Sequence, residues 1–250
     1  AGTEELYASV SEFGACAGIE VTASHNPIDY NGMKIVRRGS QPLSDQEFLA
    51  IKELAEDNSF VPSQEKGAVL DKKEAARTAY IKKVLGFVDC SKLKPIKIVI
   101  NSGNGAVGPT LDEINKKLIE MGIKTNFVFV HHDPDPTFPN GIPNPLLTEN
   151  RSSTAGAVIE EQADFGVAFD GDFDRCFFFD HSGGFIPGEY VVGLLAEIFL
   201  RQEKGATIIH DPRVIWNTTD VVSKCGGQAV ASKTGHAFVK AAMRENDAIY

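Results

Sequence analysis

The chain has 250 residues, 42% apolar and 24% charged, the make-up of an ordinary globular protein rather than a disordered, collagen-like or coiled-coil one. Lys and Arg number 25 against 34 Asp and Glu, a net charge of −9. That argues against a broad nucleic-acid footprint and leaves room only for a local basic pocket. No apolar run reaches the ~18 residues of a membrane span, and no basic segment leads into an apolar one at the start. A cytoplasmic protein with no membrane partner is expected. Cys16, Cys90, Cys176 and Cys225 form no C-x-x-C pair. Free thiols in the core and a reducing compartment are the expectation.

The predicted elements alternate. Ile19–Thr22 reads as a short strand entering a polar loop. Ser44-Asp45-Gln46-Glu47 is a capping box, and Phe48, Ile51, Leu54 and Ala55 continue it with helical spacing. A polar connection over 66–73 leads to a helix marked by Ala76, Tyr80, Val84 and Val88. Ile96–Ile100 is a strand, followed by a glycine-rich turn and a helix on Leu111, Ile114, Leu118 and Met121, with Gly122 as its C-cap. Asn126–Val130 is the next strand, and the proline-rich stretch 133–145 is an extended loop. Then come a helix over 154–161, strands over 166–169 and 176–179, and a turn at 181–184. The remainder reads as a helix over 190–200, a strand over 207–210, a helix near 219–224, a strand over 229–231 and a helix over 237–244. Helices that separate short apolar strands predict an α/β fold of tandem domains with mixed, largely parallel sheets flanked by helices.

Four segments carry chemistry. In Asp170-Gly171-Asp172-Phe173-Asp174-Arg175, three carboxylates recur at every second residue after an apolar strand. On extended backbone they share one face, where their repulsion calls for a cation, and oxygen donors select a hard ion such as Mg²⁺. An EF-hand fails, because Arg175 and His181 stand where it needs Gly and Glu. Asp174 likewise spoils the D-x-D-x-T/V pattern of haloacid dehalogenase-type hydrolases. Thr22-Ala23-Ser24-His25-Asn26-Pro27 places a serine in a tight strand-end loop, as a nucleophile, a phosphate carrier or an ordinary turn residue. A Ser–His–Asp hydrolase is disfavoured: the G-x-S-x-G elbow is absent, and adjacent Ser24 and His25 point apart on extended backbone.

Gly103-Asn104-Gly105-Ala106-Val107-Gly108 matches a dinucleotide fingerprint, yet no acidic residue directly ends the next strand, so a structural turn is the better reading. His131-His132-Asp133 reads as a solvated loop before a metal site. Lys233-Thr234-Gly235-His236 lies between a strand and a helix, where backbone N–H groups can hold an anion.

Together, and in this order, these segments resemble the α-D-phosphohexomutase family, most closely its bacterial phosphomannomutase branch. Thr22–Pro27 with Asp29-Tyr30-Asn31-Gly32-Met33-Lys34 is similar to the family's phosphoserine loop, Asp170–Arg175 to its metal loop, and Asp211-Pro212-Arg213 and Lys233–His236 to its sugar-recognition segments. The resemblance implies an intramolecular phosphotransferase that interconverts mannose 6-phosphate and mannose 1-phosphate through a phosphoserine and a hexose 1,6-bisphosphate, feeding GDP-mannose synthesis. It implies Ser24 as carrier, His25, Lys34 and Arg175 as catalytic neighbours, and Arg213, Lys233, Thr234, Gly235 and His236 as substrate-binding residues. Mg²⁺ would be held by Ser24, Asp170, Asp172 and Asp174.

It also implies domain 1 ending near residue 72, domain 2 over 73–184 and a truncated domain 3 over 185–250, with a fourth domain absent. On that reading the chain is an internal fragment that carries the serine and metal loops without the whole sugar-phosphate site. The alternatives are a phosphoglucomutase of the same family, a non-catalytic phosphate- or Mg-binding module, and a dehydrogenase resting on Gly103–Gly108. The hexose phosphate is the expected partner. Oligomeric state is left open.

Overall fold

The computed structural model describes residues 1–250 and divides into two compact units, Ala1–Gly183 and Gly184–Tyr250. The first unit opens with helix α1 (Thr3–Glu12), which the sequence pattern did not reveal. Its acidic first turn of Glu4 and Glu5 complements the positive end of the helix dipole, and Tyr7 and Val10 pack with Val36 in a small core. Strands β1 (Ala17–Val21), β2 (Met33–Arg37) and β3 (Gln41–Pro42) form an antiparallel sheet in that order. Here the sheet is wholly antiparallel, because short connections, a loop and one 3-10 turn over Arg38–Ser40, rather than long crossovers join its strands. Helix α2 (Asp45–Asp57) starts at the expected capping box, with the Ser44 hydroxyl accepting from the Glu47 N–H and the Glu47 carboxylate accepting from the Ser44 N–H at 2.8 Å.

Helix α3 (Lys73–Leu85) precedes the larger sheet, built from β4 (Lys97–Asn101), β5 (Asn126–Val130), β6 (Phe165–Phe169) and β7 (Cys176–Asp180), in the order β5-β4-β6-β7. β4 pairs parallel with both β5 and β6, while β7 returns antiparallel to β6. Helices α4 (Gly108–Glu120) and α5 (Ser152–Glu160) make the two parallel crossovers. Ile100, Val107, Leu111 and Phe173 form a core cluster beside them, and Val99, Val158 and Phe179 are fully buried, each stabilising by about 1.5–3 kcal/mol.

The second unit holds β8 (Phe185–Ile186), α6 (Gly188–Gln202), β9 (Thr207–His210), α7 (Ile215–Lys224), β10 (Gln228–Ala231) and α8 (His236–Glu245). β9 and β10 run parallel, with His210 opposite Ala231. Ala196, Leu200, Ile208 and Val222 fill its core. All four cysteines are free thiols. Cys90 is buried, but Cys16 and Cys176 are exposed, so the expectation of core thiols does not hold for those two. No helix is long and apolar enough to cross a membrane.

Candidate active site

Two hairpin connections meet in the first unit. One joins β1 to β2. Val21 pairs with Met33, and the Thr22 N–H donates to the Gly32 carbonyl at 3.0 Å, closing the base of the 22–32 loop. The other joins β6 to β7, where Phe169 pairs with Cys176 and leaves the six residues 170–175 as the turn. The expectation of an extended acidic segment is therefore corrected. The Phe173 N–H donates to the Asp170 carbonyl at 3.2 Å, Phe173 has a φ of 45°, and its side chain is anchored in the core. It is the turn that gathers the carboxylates: one oxygen from each of Asp170, Asp172 and Asp174 lies within 4.8 Å of the others.

The serine loop touches the acidic turn directly. Ser24 has a φ of 54°, a left-handed backbone that costs a non-glycine residue about 1–2 kcal/mol, and its N–H is held by the Thr22 hydroxyl at 2.8 Å. Gly171 faces it so closely that a Cβ there would lie 2.4 Å from the Ser24 carbonyl oxygen. The Ser24 hydroxyl lies 3.0 Å from Asp170 Oδ2, 3.1 Å from Arg175 Nη2 and 3.1 Å from His25 Nδ1. The Ser24 and His25 side chains thus converge, contrary to the expectation for extended backbone, because Ser24 is not extended. No Ser–His–Asp relay results. The carboxylate meets the serine instead of the imidazole, and Arg175 donates to His25 Nδ1.

Arg175 also binds Asp170 through Nε at 2.9 Å. Lys34, on β2, directs its ammonium to Asp172 Oδ2 at 2.7 Å, Asp174 Oδ2 at 2.6 Å and the Thr3 hydroxyl at 3.1 Å. Burial holds the Asp170 carboxyl above the usual range; Arg175 offsets this only in part, and Asp174 and Asp172 add to it. Burial would raise Asp172 as well, but the hydrogen bond and charge of Lys34 outweigh it and hold Asp172 low. Burial would lower Lys34, and its bonds to Asp172 and Asp174 hold it high instead.

The residues fit a hard divalent cation. Oδ1 of Asp172 and Oδ1 of Asp174 are buried and accept no hydrogen bond; the Arg175 Nε faces Asp174 Oδ1 as an ion pair at 3.4 Å, but nothing meets Asp172 Oδ1, and a buried carboxylate oxygen without a partner costs free energy unless a cation meets it. All the candidate donors are oxygens, the set that hard cations prefer.

The second unit gathers its own expected residues at the carboxyl ends of β9 and β10. Arg213 grips Asp211 through Nε at 2.8 Å and Nη2 at 2.9 Å. The Thr234 hydroxyl reaches the same carboxylate. Lys233 Nζ lies 5.6 Å from the centre of the Phe238 ring, Gly235 caps α8 with a φ of 123° and His236 opens it.

The glycine run is explained without a dinucleotide. A Cβ at Gly105 would lie 2.7 Å from the Gly171 carbonyl oxygen and one at Gly108 2.2 Å from that of His132, so protein backbone fills the space a pyrophosphate would need. His132 Nε2 lies 2.8 Å from Asp112 Oδ1. The residue missed by the sequence pattern is Thr3. It is fully buried and bonds both Asp172 and Lys34. The signal available was Gly2-Thr3-Glu4-Glu5 ahead of Leu6, Tyr7 and Val10, a helix start.

Comparison with known proteins covers nearly the whole chain. Profiles described as phosphoglucomutase/phosphomannomutase alpha/beta/alpha domains I, II and III match residues 1–62, 78–183 and 187–250. A phosphomannomutase of Vibrio cholerae is 56% identical over all of this chain and 54% of its own length. A Xanthomonas campestris protein described as "Phosphohexose mutases" is 48% identical over the same shares. The crystal structure of a phosphoglucomutase/phosphomannomutase family protein from Burkholderia thailandensis superposes with a TM-score of 0.82 at 32% identity, over 93% of this chain and 48% of that one. The chain spans about half the length of the curated relatives it matches.

Proposed function

From the premise that the chain belongs to the phosphoglucomutase/phosphomannomutase family, we propose that it carries the phosphoryl-transfer centre of a phosphomannomutase, with Ser24 as the phosphoryl carrier. The observation that carries the reading is the placement of the Ser24 hydroxyl 3.0 Å from Asp170, in a cluster where the buried Asp172 Oδ1 has no partner. In the forward half-reaction the bond from Ser24 Oγ to phosphorus breaks, and a bond to the free hydroxyl oxygen of the sugar phosphate forms. That hydroxyl loses its proton and Ser24 Oγ gains one. The product is a hexose 1,6-bisphosphate, whose other phosphoryl returns to Ser24 after the sugar turns over.

Arg175 Nη2 donates to the departing serine oxygen, and its rigid fork holds Asp170 in place at the same time. The His25 imidazole, with Nδ1 3.1 Å from Ser24 Oγ, is the group placed to exchange its proton. Mg²⁺ on Asp170, Asp172, Asp174 and a phosphoserine oxygen would neutralise charge on the transferring group. Lys34 holds Asp172 and Asp174.

Arg213 and the Lys233–His236 segment serve, on this reading, to recognise the sugar phosphate. The domains then run to about 72, over 73–184 and from 185. Mannose phosphate as substrate is supported by the relatives' names; supply of mannose 1-phosphate to GDP-mannose synthesis is what the family resemblance implies. Glucose phosphate is the alternative that the family description also covers.

The test is to incubate the protein with mannose or glucose 1,6-bisphosphate and Mg²⁺ and to map its peptides by mass spectrometry. One phosphoryl group on the Ser24 peptide is expected, absent from Ser24→Ala. An unmodified Ser24 would sink the transfer reading and leave a binding module. The faster of the two bisphosphates identifies the preferred sugar.

A further inference from the structure

Helix α1 begins on the acidic turn. Gly2 sits so close that a Cβ there would lie 2.1 Å from the Phe173 ring and 2.7 Å from the Asp172 carbonyl oxygen. The Thr3 N–H belongs to the first turn of a helix, where no intrahelical acceptor exists; it donates to that same Asp172 carbonyl at 3.1 Å. The Thr3 hydroxyl donates to Asp172 Oδ2 at 3.1 Å and accepts from Lys34 Nζ at 3.1 Å. Thr3 has no exposed surface.

The donors at this point are fully committed. An ammonium has three N–H groups, and those of Lys34 meet Thr3, Asp172 Oδ2 and Asp174 Oδ2. Lys34 and Thr3 both bond Asp172 at Oδ2, the Thr22 hydroxyl also reaches this carboxylate, and Oδ1 is buried and accepts no hydrogen bond. A carboxylate pinned through one oxygen has its rotation about the Cβ–Cγ bond fixed, and so the direction of the other oxygen is fixed as well. The remaining anchor is remote. Glu5, two residues along α1, is 2% exposed, accepts from the Thr110 hydroxyl on α4 and pairs with Arg77 on α3 at 3.2 Å. The start of α1 is thus clamped from behind while Thr3 grips the acidic turn.

We infer that Thr3 is a positioning residue of the cation site: its buried hydroxyl, working with Lys34, aims Asp172 Oδ1 at the cation. This rests on the reading of Asp170, Asp172 and Asp174 as a Mg²⁺ site and adds to it a residue from the helix that abuts the site. Outer partners of metal ligands of this kind change metal affinity by about 10–100-fold when removed.

The test measures metal binding directly. Mg²⁺ is titrated calorimetrically, and Mn²⁺ by the loss of its free-ion electron paramagnetic resonance signal, into wild type, Thr3→Val, Thr3→Ser and Asp172→Asn. Valine keeps the shape and deletes the hydroxyl; serine keeps the hydroxyl. The expected result is a dissociation constant about 10-fold or more weaker for Thr3→Val and within about threefold of wild type for Thr3→Ser, with binding lost in Asp172→Asn. Wild-type affinity in Thr3→Val would overturn the role of Thr3 and leave the metal site standing. Absence of Mg²⁺ and Mn²⁺ binding in the wild type would overturn the metal site and this inference together. If Thr3→Val does not fold, as judged by circular dichroism and thermal unfolding without metal, Thr3→Ala takes its place. Equal affinity in Thr3→Ala and Thr3→Ser would then count against the hydroxyl.

Discussion

The cluster around Ser24 and the cluster around Arg213 are built in opposite ways. In the first, Asp170 has no exposed surface and Asp172 is 3% exposed, and every charged group has at least one charged partner on a different element or across a turn. Two hairpin turns and the start of α1 interlock, down to a glycine that touches the serine backbone. In the second, Arg213 is 73% exposed and its one ion pair is with Asp211, two residues away. Groups that act on a transferring phosphoryl gain from being fixed before the reaction, because no reorganisation is then needed at the transition state. Groups that only recognise a ligand can stay solvated and local. The contrast supports transfer chemistry at Ser24 and recognition at Arg213, and it is open to being broken by substitution.

The largest expected effect lies behind the first cluster, at Glu5. Glu5→Ala leaves Arg77, only 11% exposed, with no carboxylate on its Nε and deprives Thr110 of its acceptor. Removing one member of a buried pair costs about 3–5 kcal/mol. Urea unfolding should show that loss, and Mg²⁺ affinity should weaken alongside it through Thr3. A change below about 1 kcal/mol would mean that the start of α1 is not clamped as described.

Gly171→Ala tests the junction itself. The new methyl group meets the Ser24 carbonyl oxygen, a backbone atom that cannot turn aside, so one of the two loops must shift. Overpacking of this kind costs about 1–3 kcal/mol. Because the shift separates Ser24 from Asp170, phosphorylation of Ser24 by a hexose bisphosphate should slow by more than stability falls, as quenched-flow labelling against thermal unfolding would show. Equal phosphorylation rates in the variant and wild type would mean that the contact of the two loops does not matter to transfer.

The two clusters were also unequally legible in the sequence. The Asp170–Arg175 run, Ser24 and the Lys233–His236 segment could be named because each is a local pattern of a few residues, and β5 and β9 appear with their expected bounds because their apolar runs are short and bracketed by turn residues. The contacts that assemble the first cluster could not be read, because they cross from residue 3 to 34 to 172. Period and spacing report only neighbours along the chain. The left-handed Ser24 was hidden for a different reason. Its conformation is imposed by Thr22 and Gly171, and serine carries no signal for it. The acidic segment reads with the wrong geometry: alternation suggests one face of a strand, whereas a turn pinned by Phe173 brings the carboxylates together.

The smallest expected effect belongs to the second cluster, and its pH dependence has a definite sign. The hydrogen bonds of Arg213 hold the Asp211 carboxyl down at about 2, below the ~3.9 of an aspartate in an unfolded chain. Between those values the unfolded state binds more protons than the folded one, so stability rises with pH there. The contribution of the Asp211–Arg213 pair is then complete above pH ~4, and it is lost as pH falls through about 2. Because the Arg213 side chain is 73% exposed, the pair amounts to less than about 1 kcal/mol. Thermal unfolding of wild type and Arg213→Ala at stepped pH should show a small, constant gap at neutral pH that closes towards pH 2, and the gap should also shrink in high salt. A gap that is large at neutral pH and insensitive to salt would make this pair a buried, structural one, and the contrast between a fixed transfer centre and a solvated recognition segment would fail.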